Sequence, residues 1–299
     1  MKKKILFRAD FGSEIGFGHI IRCLNLASLF IKNNFEVTLI TKKKKYQFPF
    51  LIKKLNILHL KEKISIAEES KYILNYFTKK KFSFLILDIE HGLIDKKKYE
   101  IFLEHISKIL NKTICWDNIL SNKFKFGITY RPYPSFVNLK KIYKKSKIVQ
   151  GLNYLYIPNI YRYSKKIKTF NLLVNLGGTS QKNKIESIIK KIETIRLKKK
   201  LKVVIPNFNL KKSLKLNHHK YCFPKFVNNN KIYKNINLAI VSGGMAKYEC
   251  IINQIPSIVI NLNYQQKKIN QNFIKYNFII ILKKLDDLDK KLKLLIFNQ

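Results

Sequence analysis

The chain has 299 residues, long enough for one large core and, at the usual size of a domain, better suited to two. Hydrophobic residues make up 46%, which excludes a disordered chain, and no apolar run approaches the ~20 residues needed to span a bilayer. The formal net charge of +42 is spread along the whole chain beside abundant Asn, Ile, Phe and Tyr. It reads first as composition bias and second as a sign of an anionic partner: a phosphorylated substrate, a membrane surface or nucleic acid. No RNA- or DNA-binding motif is present, so nucleic acid is not the expected partner. Cys23, Cys115, Cys222 and Cys250 show no C-x-x-C spacing. Neither a zinc site nor a disulfide framework is expected from them, and reduced thiols fit a cytoplasmic location. The start "MKKKILFRADFG" is no secretory signal, because Arg8 and Asp10 interrupt its apolar stretch.

Apolar, β-rich runs alternate with amphipathic segments. "ILFRAD" (5–10) predicts the first strand, and a helix follows from Gly18 with Ile20, Leu24, Ala27 and Ile31 on one face. "EVTLIT" (36–41) is the next strand and "NILHL" (56–60) a weaker one. Residues 65–80 read as helix, "FLILDI" (84–89) as strand, 95–110 as helix and "KTICWD" (112–117) as strand. Such alternation implies parallel pairing with helices on both faces. Residues 130–168 break the rhythm with "RPYPSF" and "IPNIYRYSKK", and a domain boundary is expected near 160. Strands then recur at "NLLVNLGG" (171–178), "KVVIP" (202–206), "LAIVSGG" (238–244), "PSIVIN" (256–261) and "FIIIL" (278–282), with a last helix over 284–298. Two doubly wound α/β domains, 1–160 and 161–299, with a cleft between them, are the expected architecture. The runs Lys42 to Lys45 and Lys198 to Lys200 read as solvated loops and helix ends, and no localised basic patch is evident.

Ligands of open parallel sheets bind beyond the carboxyl ends of the strands, and three glycine-bearing segments lie there. Gly16-Phe17-Gly18-His19 follows the first strand. Its glycines let backbone approach a ligand, a helix N-terminus offers N–H groups to an anion, and the helix dipole favours the neutral imidazole of a general base. The plainer alternative is a turn with a surface histidine, since Ile21 stands where a dinucleotide fingerprint would have its third glycine. "NLGGTS" (175–180) suits phosphate binding through N–H and hydroxyl groups, lacks the lysine of a P-loop, and is otherwise an ordinary strand–helix turn. "VSGGMAKYECIINQIP" (241–256) again runs from a strand through Ser-Gly-Gly into a helix. Glu249, two turns into that helix, suits either a surface ion pair or hydrogen bonds from the two hydroxyls of a ribose. "NYQQKK" (263–268) brings Gln265 and Gln266 to the same rim.

The first segment, "RADFGSEIGFGHIIRCLNLA", resembles the N-terminal signature of the hydrolases that remove UDP from UDP-2,4-diacetamido-2,4,6-trideoxy-altropyranose in pseudaminic acid synthesis. The pattern is carried by Arg8, Asp10, Ile15, Gly16, Gly18, His19 and Arg22. "NLGGTSQKN" and "VSGGMAKYE", with Gln265 and Gln266, resemble the C-terminal half of that family, and the same half resembles the transferases that add N-acetylglucosamine to lipid-linked muramyl-pentapeptide. Both groups have the GT-B fold. The resemblance implies that Gly177, Gly178, Thr179, Ser242, Gly243 and Gly244 hold the nucleotide diphosphate, that Glu249 binds the ribose, and that Gln265 and Gln266 line the nucleotide site. It further implies that His19 activates water for inverting attack at the anomeric carbon, with Asp10, Gly16, Gly18 and Arg22 on the substrate side. No cofactor and no metal are implied, and a monomer is expected. The last helix can pack back on the N-terminal domain in this fold. Where the family carries an Asp-x-Tyr element, this chain reads Asp88-Ile89-Glu90-His91, so His91 either replaces the hydroxyl or caps a helix. In "GLNYLYIPNIY", Ile157 and Pro158 stand near the position of a family arginine. The expected function is a cytoplasmic UDP-sugar hydrolase of cell-surface glycan biosynthesis. The alternative is a GT-B glycosyltransferase using a UDP-sugar donor, with peripheral contact to a membrane open to either.

Overall fold

The computed structural model describes residues 2–12, 16–42, 52–89, 96–116, 124–133, 147–157, 170–177, 181–196, 200–206, 216–224, 232–274 and 279–297. By its contacts the chain divides into two compact units, Met1–Tyr156 and Ile157–Gln299. The expected boundary near 160 lies outside the described residues.

The first unit contains β1 (Lys4–Ala9), α1 (Gly18–Lys32), β2 (Glu36–Lys42), β3 (Leu55–Leu60), α2 (Ile66–Lys79), β4 (Phe84–Asp88), α3 (Lys96–His105), β5 (Thr113–Trp116), β6 (Ile128–Arg131) and β7 (Lys147–Gln150). Its sheet has the order β3-β2-β1-β4-β5-β6-β7, with every recorded pairing parallel. Side chains alternate across each strand. Ile5, Phe7 and Ala9 therefore pack with Ile20, Leu24 and Ala27 of α1, while Leu6 packs on the other face with Ile73 and Phe77 of α2 and Leu103 of α3. That two-sided burial explains why the central strands read as continuous apolar runs. Ser65 and Glu68 form a capping box that starts α2, whereas α1 begins at Phe17 with no side-chain cap.

The second unit contains β8 (Asn171–Asn175), α4 (Lys182–Thr194), β9 (Lys202–Val204), β10 (Lys220–Cys222), β11 (Leu238–Ser242), α5 (Met245–Ile252), β12 (Ser257–Ile260), α6 (Tyr264–Ile274), β13 (Ile280–Leu282) and α7 (Leu288–Phe297). Its order is β10-β9-β8-β11-β12-β13, again parallel. Ile185, Ile188, Ile189 and Ile192 of α4 join Leu288 and Leu292 of α7 over Leu172, Val174, Leu238 and Ile240.

Three strands went unread in the sequence. β6 and β7 are four residues each and mostly half-buried, and β10 has three residues with two exposed. Such short strands carry no long apolar run to betray them, and β7 and β10 also stand at the edges of their sheets. The helix expected over 95–110 stops at His105, and a 3₁₀ turn, Ser107–Lys112, then directs Ile109 and Leu110 into the core.

Candidate active site

In both sheets chain order reverses at one point: between β1 and β4 in the first, between β8 and β11 in the second. The carboxyl ends of strands at such a switch point form the usual ligand site of a doubly wound sheet. His19 follows β1, and the two C-terminal glycine turns follow β8 and β11, so these segments stand at the switch points of their own sheets.

Ala9 at the end of β1 lies opposite Asp88 at the end of β4. The Asp88 side chain, 1% exposed, thus emerges beneath the first turn of α1. The Asp88 carboxylate accepts from His19 Nδ1 at 2.7 Å, from Arg22 Nε at 2.6 Å and from Arg22 Nη2 at 2.5 Å, with the Cys23 thiol at 3.4 Å. Burial alone would raise the Asp88 pKa, but Arg22 and then His19 drive it well below the usual carboxylate range. An ionised carboxylate can only accept. The proton on Nδ1 therefore faces Asp88, and the imidazole lone pair belongs to Nε2. His19 remains 20% exposed, so the base is reachable while its orienting partner is not.

Arg22 is held from all sides. Besides Asp88, its Nη1 donates to the Tyr133 hydroxyl at 2.5 Å, its Nη2 lies 3.1 Å from His19 Nδ1, and its guanidinium carbon lies 4.8 Å from the centre of the Trp116 ring. A second buried cluster stands beside it. Arg8 Nη1 pairs with Asp10 Oδ1 and Nη2 with Glu69 Oε1, both at 2.7 Å, and Lys42 Nζ lies 3.3 Å from Glu69. Asp10 also accepts from the Lys42 backbone N–H at 2.8 Å. Burial pushes the Asp10 carboxyl up, but Arg8 outweighs it and brings it down to about 2. The Asp10 carboxylate is thus engaged with the strand ends. Gly16 takes a φ of 79°, which favours glycine, and its N–H donates to the Gly12 carbonyl at 2.7 Å. A Cβ at Gly18 would meet no described atom within 4 Å.

In the second unit the two glycine turns come together. A Cβ on Gly177, whose φ is 92°, would lie 3.8 Å from Ser242 Oγ. Asn175 Oδ1 accepts from the Gly177 N–H at 3.1 Å, its side chain also hydrogen-bonds the Tyr233 hydroxyl, and that hydroxyl donates to Glu249 Oε2. Glu249 is 7% exposed, and burial raises its pKa against the lowering effect of Tyr233. It is an interior carboxylate and not a partner for a surface lysine. Gly243 is packed tight: a Cβ there would stand 2.3 Å from Asn270 Nδ2 and 2.8 Å from Asn261 Oδ1. Gly244 has room, with Ser242 Oγ at 3.6 Å and Gln266 Nε2 at 3.7 Å from a Cβ. Gln266 Oε1 accepts from the Leu262 N–H at 2.9 Å. Gln265 contributes backbone to α6, while Gly178, Thr179, His91 and Pro158 lie outside the described residues.

Sequence reading did not single out Asn175, Tyr233, Tyr133, Trp116 or the role of Asp88 as a ligand of His19. The signal for Asp88 was its place at the end of a buried strand. It also missed a charge cluster. Lys2 to Lys4 and Lys79 to Lys81, with Ser83, line a hollow of about 400 Å³ at the amino ends of β1 and β4, the rim opposite His19. Among the described residues no three His, Cys, Asp or Glu side chains form a metal-binding group, and no helix is long and apolar enough to cross a membrane.

No family model matches the chain. It is 25% identical over 297 residues to an uncharacterized protein, MJ1062, of Methanocaldococcus jannaschii, spanning 91% of this chain and 58% of that one. The chain thus spans under two thirds of the curated relative that it matches. Among solved structures, Anabaena HepE in complex with UDP-glucose superposes with a TM-score of 0.62 at 11% identity, covering 99% of this chain and 90% of that one. The spinosyn forosaminyltransferase SpnP gives 0.66 at 9% identity over 100% and 91%. WaaG, a glycosyltransferase of lipopolysaccharide biosynthesis, gives 0.56 at 13% identity over 98% and 90%. At these identities the likeness concerns the fold: the chain has the α/β GT-B-like fold, two parallel sheets flanked by helices.

Proposed function

We propose that the chain is a nucleotide-sugar-dependent glycosyltransferase of glycan biosynthesis. The observation that carries the reading is His19 with its Nδ1 on the buried, ionised Asp88 and its Nε2 as the basic nitrogen. The structural likeness to a protein in complex with UDP-glucose supports a UDP-sugar as the donor. In this mechanism His19 Nε2 takes the proton from an acceptor hydroxyl as its oxygen attacks the anomeric carbon. The bond to the diphosphate breaks on the opposite face, so configuration inverts. Asp88 stabilises the imidazolium that forms. Arg22, pinned by Tyr133 and Trp116, is a positioning residue for Asp88. The leaving diphosphate is held by the turns at Gly177, Gly178, Thr179 and Ser242 to Gly244 and by the N–H groups opening α5, with Glu249 on the ribose and Gln265 and Gln266 beside it.

A second reading is favoured by one feature, the motif of Arg8, Asp10, Ile15, Gly16, Gly18, His19 and Arg22. In it water replaces the acceptor and UDP is released from a 2,4-diacetamido-2,4,6-trideoxyhexose. Incubation with candidate UDP-sugars, with and without acceptor glycans, separates the two. UDP release that needs an acceptor and yields a glycosylated product supports transfer. Equal release of UDP and free sugar in water supports hydrolysis. No turnover together with no calorimetric UDP binding refutes both.

A further inference from the structure

Lys247 is a buried cation that the proposed mechanism does not use. It is the third residue of α5 and 1% exposed, among the largest fully buried side chains of the described residues. Its Nζ donates to the Gly243 carbonyl at 2.7 Å and stands 4.3 Å from the centre of the Tyr248 ring and 5.2 Å from that of Phe273. None of the three carries a negative charge. Around it, α5 offers Glu249, whose Oε2 is taken by Tyr233, and the buried thiol of Cys250. The neighbouring β11 and β12 carry no charged residue, and α6 adds only the exposed Lys267 and Lys268. The first turn of α5 has no acidic residue, so the ammonium also sits against the positive end of a helix. Burial pulls its pKa down to about 7. An anion brought to this end of α5 would stabilise the charged form further, and the turn that Lys247 holds, Ser242-Gly243-Gly244, is the one proposed to bind the diphosphate.

We propose that Lys247 is a positioning residue with a linked proton. Its ammonium fixes the Gly243 carbonyl and with it the diphosphate-binding turn, and binding of a nucleoside diphosphate ester draws a proton from solvent onto Nζ. The inference rests on the reading of that turn as the diphosphate site. Because Nζ bonds the Gly243 carbonyl of that turn at 2.7 Å, an anion held by the turn would raise the lysine pKa, by roughly 1–3 if it comes within about 4–6 Å.

The test is titration calorimetry of UDP-glucose, with TDP-glucose in parallel, at pH 8 in two buffers of different ionisation heat. The diester diphosphate itself exchanges no proton near that pH. The expected result is uptake of roughly half a proton or more per nucleotide sugar, with affinity falling as pH rises from 7 to 9. Lys247→Met should bind several-fold more weakly, with no proton uptake and no such pH dependence. Uridine, which lacks the diphosphate, should bind the native chain without proton uptake, and uptake with uridine would overturn the link between the diphosphate and the proton. Binding of UDP-glucose without proton uptake, or uptake that persists in Lys247→Met, overturns the role of Lys247 and leaves the nucleotide site standing. Absence of binding by either nucleotide sugar overturns the site and this inference with it.

Discussion

Replacing Asp88 by Asn tests the arrangement beneath α1 most directly. The side chain is 1% exposed, and its carboxylate accepts from both Nε and Nη2 of Arg22, itself 7% exposed. The amide is nearly isosteric but neutral, so the substitution removes the negative charge paired with a buried guanidinium. Breaking a buried pair from one side costs about 3–5 kcal/mol. For a unit of this size each kcal/mol moves the melting temperature by about 2–4 °C, so the first unit should melt about 6–20 °C lower by calorimetry. The amide also has an N–H to offer His19, which permits the tautomer with its lone pair on Nδ1. Loss of the oriented base should lower turnover of a UDP-sugar by about 10²–10⁴-fold, with UDP affinity unchanged. The double variant Asp88→Asn with Arg22→Met removes the buried positive charge as well. It should regain part of the lost stability and none of the lost turnover. If Asp88→Asn melted within about 2 °C of the native protein, or kept turnover within about threefold, the account of a charged, orienting carboxylate would be wrong.

Three further outcomes follow from the geometry. Gly243→Ala places a Cβ 2.3 Å from Asn270 Nδ2 and should cost about 1–3 kcal/mol in urea unfolding, whereas Gly244→Ala, with its nearest atoms at 3.6 Å, should be neutral in stability. Gly18→Ala meets no described atom within 4 Å, so stability should hold; turnover should fall if backbone at the start of α1 approaches the substrate, and unchanged turnover would remove Gly18 from the site. Asp10 is ionised in the folded chain down to about pH 2 against an ordinary value of 3.8, so its stabilising contribution is complete above pH 4 and is lost as pH falls through about 2. Asp10→Asn should therefore remove about 2 kcal/mol at pH 7 and flatten the stability profile between pH 4 and 2.

Much of the fold was legible from local order. The alternation of Ile5, Phe7 and Ala9 with Leu6, and the helical spacing of Ile20, Leu24 and Ala27, follow from the two-residue and 3.6-residue repeats that any buried strand or amphipathic helix must obey. The glycine turns, and His19 at the start of α1, were likewise readable, because a strand that must turn at once into a helix restricts backbone angles to what glycine allows at Gly16 and Gly177. What the sequence could not express is who meets whom. His19 and Asp88 are 69 residues apart and Arg22 and Tyr133 are 111 apart; the parallel register of β1 on β4 makes the first two neighbours, and the run β4-β5-β6 carries Tyr133 to the same edge of the sheet. Lys247 reads in sequence as one more surface lysine among many, and only the packing of α5 against Phe273 of α6 closes water away from it. The lysines of the amino-terminal rim look evenly scattered along the chain, yet parallel strands all begin on one side of a sheet, so Lys2 to Lys4 and Lys79 to Lys81 converge there. Periodicity is a property of neighbours in sequence and survives in the text of the chain. Charge pairing and burial depend on distances across a folded sheet, and only the tertiary structure decides those.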